Sequence, residues 1–124
     1  MLKVLSEFTD PVVAVAGRGK VTKADYEEVL LPRVEQMLGR HDKLRLYYEL
    51  GEDFEGIEAG AVWEDLKVGL EHFSRWERVA VVTDVAWIGQ TIRAFGLLFP
   101  AEIRIFSQSE VRQAREWITD ATEM

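Results

Sequence analysis

The sequence predicts an α/β fold in a single domain, residues 1–124: an N-terminal β-hairpin leading into a mostly parallel five-stranded sheet flanked by four helices. Three observations carry this. Strand-like and helix-like patterns alternate in the order ββαβαβαβα, the signature of parallel strands joined by crossovers. The segment VAVV (79–82) is apolar without alternation, as a strand covered on both faces is. No repeat, low-complexity tract or Pro/Ser-rich linker marks an internal boundary.

The first two strands are read from LKVLSEF and VVAVAGR, joined at Thr9-Asp10-Pro11 by a turn short enough to favour an antiparallel hairpin. GRGK (17–20) is too short for a Walker phosphate loop and reads as a β-to-α turn. Helix one starts at Thr22, which is spaced from Asp25 like an acidic capping box. Its apolar set is Tyr26, Val29, Leu30, Val34, Met37 and Leu38; Pro32 should bend it or remove one backbone bond, and Gly39 should stop it. KLRLYYEL (43–50) alternates, Leu44, Leu46, Tyr48 and Leu50 against Arg45, Tyr47 and Glu49, so one face or edge is expected to be partly wet.

GEDFEGIEAG (51–60) then reads as a mobile, solvated loop in which Phe54 and Ile57 could form a lid on glycine hinges. A second helix is expected at roughly 59–74, with Trp63 at the border of its apolar arc. Trp76 anchors the start of the VAVV strand. A helix over 85–99, capped by Asp84, leads to the strand EIRIF and a last helix from Ser109 with Trp117 at its border.

The 85–99 helix is the most apolar stretch, AWIGQTIRAFGLLFP, in a chain of formal net charge −7. On a helical wheel of ~100° per residue, Trp87, Leu98, Thr91, Phe95, Ile88, Phe99 and Ile92 fall within one arc that should face the sheet. Leu97 lies off that arc, Trp87 sits at its edge, and Gly89 and Gly96 fall on the outer side.

Composition excludes several functions. Cysteine is absent, which removes disulfides, thiolate metal sites and cysteine nucleophiles. No apolar run reaches the ~20 residues of a membrane span. MLKVLSEFTD meets Glu7 and Asp10 too early for a signal peptide, so a cytoplasmic location is expected. With 15 Lys+Arg against 22 Asp+Glu, nucleic acid is not an expected partner. The two histidines, His41 and His72, lack a recognisable nucleophile partner, and no hydrolase, zinc-protease or nucleotide-loop motif occurs. The acidic residues of GEDFEGIEAG lack the spacing of a calcium loop. Enzymatic activity, a metal and a cofactor are therefore not expected.

The element order, the segment VAVVTDVAWIGQTIRAFGLLFPAEIRIF and the ending EVRQAREWI, with Trp87, Phe106, Ala114 and Trp117, resemble the SpoIIAA-like family. These are bacterial STAS-related domains, also compared with the lipid-carrying SEC14/CRAL-TRIO fold. The resemblance implies an apolar cleft that opens and closes, and binding of an apolar ligand or association with a membrane. Anti-sigma-factor antagonists of the STAS group present a phosphorylatable serine at the start of the second helix. Here that place is the acidic glycine stretch, and no Ser or Thr occurs from Lys23 to Phe73, so that switch is chemically excluded there.

The functional expectation is a non-enzymatic binding module. A cleft beside helix 85–99, lined by Phe54, Ile57, Trp63, Trp87 and Leu97, would take an apolar or lipid-like ligand or touch a membrane peripherally. The alternative is a protein–protein interaction domain that homodimerises through the outer side of the same helix.

Overall fold

The computed structural model describes residues 1–9, 11–58, 75–96 and 101–120, with only the backbone at 95 and 96. Five strands form one sheet in the order β1-β2-β3-β4-β5: β1 (Leu2–Val4), β2 (Val12–Val21), β3 (Leu44–Ile57), β4 (Trp76–Val82) and β5 (Glu102–Phe106). β1 runs antiparallel to β2, with Leu2 opposite Gly17 and Val4 opposite Val15. The other three pairs are parallel. The expected hairpin and mostly parallel sheet are both present.

Helix α1 is built from three consecutive segments, α over Lys23–Asp25, π over Tyr26–Leu30 and α over Leu31–Leu38. The capping box forms as its spacing predicted: the Asp25 N–H donates to the Thr22 hydroxyl at 3.2 Å and the Thr22 N–H donates to the Asp25 carboxylate at 2.8 Å. Pro32 does not break the helix. The wider turn stands just before it, where the Leu31 N–H reaches back to the Tyr26 carbonyl. Proline brings no N–H and a bulky ring, and a π turn relieves both. Helix α2 spans Ala86–Gly96, and α3 spans Val111–Thr119 behind a 3-10 turn at Gln108–Glu110. Among the described residues these three helices flank the sheet. The helix expected at 59–74, with Trp63 and His72, lies outside the described residues, as does Leu97.

Each face of the sheet has its own core. On one, Val13, Val15 and Val21 of β2 and Leu44, Tyr48 and Leu50 of β3 meet Tyr26, Leu30, Val34 and Met37 of α1 and Ile88 of α2. The Tyr26 and Tyr48 hydroxyls share a buried hydrogen bond of 2.8 Å there. On the other, Val12, Ala14, Tyr47, Ala80 and Val82 lie beneath Ala114 and Ile118 of α3.

Three sequence expectations are corrected. β3 has no wet face over its first half: Arg45 is 6% exposed and Tyr47 is 0% exposed, because α3 returns across the face that alternation marks as polar. GEDFEGIEAG is also not a loop through its first seven residues, since β3 continues to Ile57. After irregularities in register, Gly19, Lys20 and Val21 pair with Phe54, Gly56 and Ile57, so GRGK likewise stays within β2. Gly19 and Gly56 carry positive φ, 54° and 156°, a backbone that glycine adopts without strain where the two strands slip.

Candidate functional site

Helix α2 sits on the α1 side of the sheet with a different face inward than its wheel predicts. Ile88 is buried, Ile92 and Val85 pack against the same cluster, and Gly89 is buried as well. A Cβ on Gly89 would stand 3.8 Å from Ile105 of β5. Thr91, placed within the predicted arc, is exposed, and its hydroxyl donates to the Trp87 carbonyl at 2.8 Å. The buried face is thus rotated by roughly 80° at ~100° per residue, toward Val85 and Gly89. The reason is steric. A wheel weighted by hydrophobicity gives glycine no vote, yet glycine lets the helix backbone approach the sheet.

The rotation carries Trp87 from the edge of the stripe to the outside. It is 55% exposed, with Ala86, Gln90, Arg93 and Ala94 also exposed on the helix. The start of α2 is organised differently from expectation too. The Asp84 carboxylate accepts the Gln108 N–H at 3.0 Å, tying the loop after β4 to the loop after β5, while the Thr83 hydroxyl accepts the Val85 N–H at 3.0 Å.

Of the residues expected to line a cleft, Phe54 and Ile57 are half-buried on β3 and pack against the same core cluster as Ile88 and Ile92. Trp87 stands apart from that cluster in solvent. Trp63 and Leu97 lie outside the described residues. Of the three described members, Phe54 and Ile57 thus share a cluster that Trp87 does not join.

A separate, polar cleft of about 340 Å³ opens at the register shift between β2 and β3, lined by Ala16, Gly17, Arg18, Glu49, Gly51, Glu52 and Asp53. Its clue in the sequence is small residues at Ala16, Gly17 and Gly51 beside three carboxylates. Glu49 at its rim accepts a hydrogen bond from the Tyr47 hydroxyl at 2.5 Å and faces Arg115 of α3 at 3.9 Å. Burial, and then Glu49, push the Tyr47 phenol well above its ordinary range. Arg115 also pairs with Glu7 at 3.1 Å and lies over the rings of Phe8 and Tyr47. These contacts pin α3 to the segment after β1, while the buried Arg115 Nε has no hydrogen-bond partner among the described residues. Among the described residues no three His, Asp or Glu side chains gather closely enough to hold a metal ion. No helix among them is long and apolar enough to cross a membrane.

The SpoIIAA-like family model matches residues 12–119. Among solved structures, the chain is similar to an uncharacterised protein of the DUF3478 family with a SpoIIAA-like fold from Shewanella loihica PV-4. That likeness has a TM-score of 0.72 at 25% identity and covers 94% of this chain and 93% of the other. The comparison with curated proteins finds no match.

Proposed function

This chain belongs to the SpoIIAA-like family, and from that premise we propose that it is a non-enzymatic binding module that receives an apolar or lipid-like partner on the outer flank of α2. One observation supports this above the others: Trp87 is 55% exposed although the helix already fills its inward side with Ile88, Gly89 and Ile92. A large apolar ring held in water on a helix is disfavoured at about 25 cal/mol per Å² until something covers it. Indole suits an interface, because its body is apolar and its N–H can stay wet. The net charge of −7 selects among such partners, favouring a neutral surface over an anionic one. Phe54 and Ile57 contribute less to this reading, since both already pack on the core.

The test is co-sedimentation with neutral phosphatidylcholine vesicles, together with native mass spectrometry of gently purified protein. The wild-type chain is expected to bind vesicles or carry extra apolar mass, and Trp87→Ala to weaken binding at least about tenfold through lost buried area. If neither form binds, or if Trp87→Ala binds as well as wild type, the reading is wrong.

A further inference from the structure

The sheet ends at β5, and among the described residues no strand lies beyond it. The opposite edge, β1, has three residues, and its shortness protects it; β5 has five. We infer that β5 is a self-pairing edge: two copies of this chain join β5 to β5, antiparallel about a two-fold axis through Ile103, into one continuous sheet. This surface is separate from the α2 flank, and the inference stands independently of the apolar-partner reading.

Backbone direction and charge agree on the register. The Phe106 carbonyl accepts the Thr83 N–H at 2.8 Å, so Phe106 directs its backbone groups toward β4. Successive residues of a strand alternate, so Arg104 and Glu102 also face β4, and Ile105 and Ile103 present N–H and C=O at the outer edge. An axis through Ile103 sets it against Ile103 of the second copy as a hydrogen-bonded pair, outward backbone meeting outward backbone. The flanking residues then form non-hydrogen-bonded pairs, the kind in which side chains come closest. In each of those pairs Glu102 of one copy faces Arg104 of the other.

Glu102 and Arg104 share one face of the strand, each 52% exposed, with 2.8 Å between their charged atoms. Across the axis the two pairs would become a ring of four alternating charges. An axis through Arg104 instead would set two guanidinium groups against each other at the close spacing, which is destabilising. An axis between residues would mate inward with outward backbone groups. An axis through Ile105 would also mate outward backbone groups but would set Arg104 against Phe106, so only the axis through Ile103 pairs Glu102 with Arg104 across the seam. Its geometry is isologous and closed, so it stops at a dimer.

The test is sedimentation velocity of the full chain over a concentration series. Wild type should show a concentration-dependent dimer that weakens as salt screens the charge ring. Glu102→Arg sets Arg against Arg twice and should raise the dissociation constant about tenfold or more. Arg104→Glu, which also removes a guanidinium from the Trp117 ring, should do the same and serves if the first variant fails to fold by circular dichroism. The double variant Glu102→Arg/Arg104→Glu restores opposite charges across the axis and should recover the dimer. A strict monomer at the highest attainable concentration overturns the inference. So does a dimer indifferent to the single reversals, or a double variant that stays as weak as the singles.

Discussion

Helices α2 and α3 cover opposite faces of the same sheet and are fastened by different physics. The contacts that seat α2 are apolar and steric: Ile88 and Ile92 enter the core, and Gly89 lets the backbone lie against Ile105. α3 buries Ala114 and Ile118, and arginines hold its carboxyl end as well. Arg45 donates to the carbonyls of Ile118 and Asp120, Arg78 donates to the Trp117 carbonyl at 2.9 Å, and Arg104 lies 4.7 Å from the centre of the Trp117 ring. The last carbonyls of a helix are unsatisfied and carry the negative end of its dipole, so cations belong there. A chain with 15 Lys+Arg against 22 Asp+Glu has placed three of its arginines at one helix terminus. What the contrast teaches is where to expect function: a clamped helix is structure, and a helix that among the described residues is seated by its inner face leaves the outer one available.

The largest test of that contrast is Arg45→Met. The residue is 6% exposed, and its side chain pairs with Glu77 at 2.6 Å while it caps α3. Met keeps much of the volume but leaves Glu77 and two carbonyls without this donor. Breaking a buried pair costs about 3–5 kcal/mol; Glu77 is partly solvated, so roughly 2–3 kcal/mol is expected in urea unfolding at neutral pH. A loss under about 1 kcal/mol would mean that Arg45 is not what fastens α3.

Arg45 also marks where the sequence stops being readable. Strand positions were legible because apolar runs and alternation follow from pleating, and Trp76 was legible as the start of β4. The fastening of α3 was not. Arg45 and Tyr47 look like the wet side of KLRLYYEL until a helix some seventy residues later covers them, and alternation carries no information about distant partners. The first part of GEDFEGIEAG reads as loop because glycine and acid are poor strand formers, yet the β2 backbone pairs with it as far as Ile57. At the candidate site, Trp87 was legible as a residue to watch. That more than half of it is exposed was not, because the inward face turns toward Gly89, which a hydrophobicity-weighted wheel leaves out.

A smaller effect separates the two faces by pH. Tyr47, beneath α3, has its phenol raised above the ordinary value of 10.0, first by burial and then by Glu49. Above that ordinary value the unfolded chain loses this proton while the folded one keeps it. The contribution is therefore fully present below pH 10 and is lost as pH climbs toward the raised value. Tyr47→Phe should cost about 1 kcal/mol near neutrality through the lost bond to Glu49. It should also flatten the alkaline decline in urea stability measured up to about pH 11. Equal alkaline slopes in the two proteins would show that Tyr47 is not held neutral by the α3 face.

On the α2 side, Gly89→Ala should be stabilising. Alanine is favoured over glycine in a helix by about 0.8–1 kcal/mol, and the new methyl would meet Ile105 at 3.8 Å, an ordinary contact. A gain of about 0.5 kcal/mol in urea unfolding is expected, with Gly89→Leu reversing it by overpacking. If alanine destabilises, the helix sits closer to the sheet than this spacing allows.

The smallest expected effect decides most about function. Trp87→Ala removes the largest exposed side chain of α2, yet the change should fall within about 0.5 kcal/mol in the same unfolding assay, as surface substitutions do. The Thr91 hydroxyl bonds to the Trp87 carbonyl, not to its ring, so that contact survives the substitution. A loss above about 1.5 kcal/mol would mean that the indole packs within the fold, and an indole that packs is not waiting for a partner. Near-zero cost to stability combined with lost vesicle binding separates a recognition residue from a structural one. Near-zero cost with unchanged binding would leave α2 as plain surface, and the difference between the two helices would then concern fastening alone.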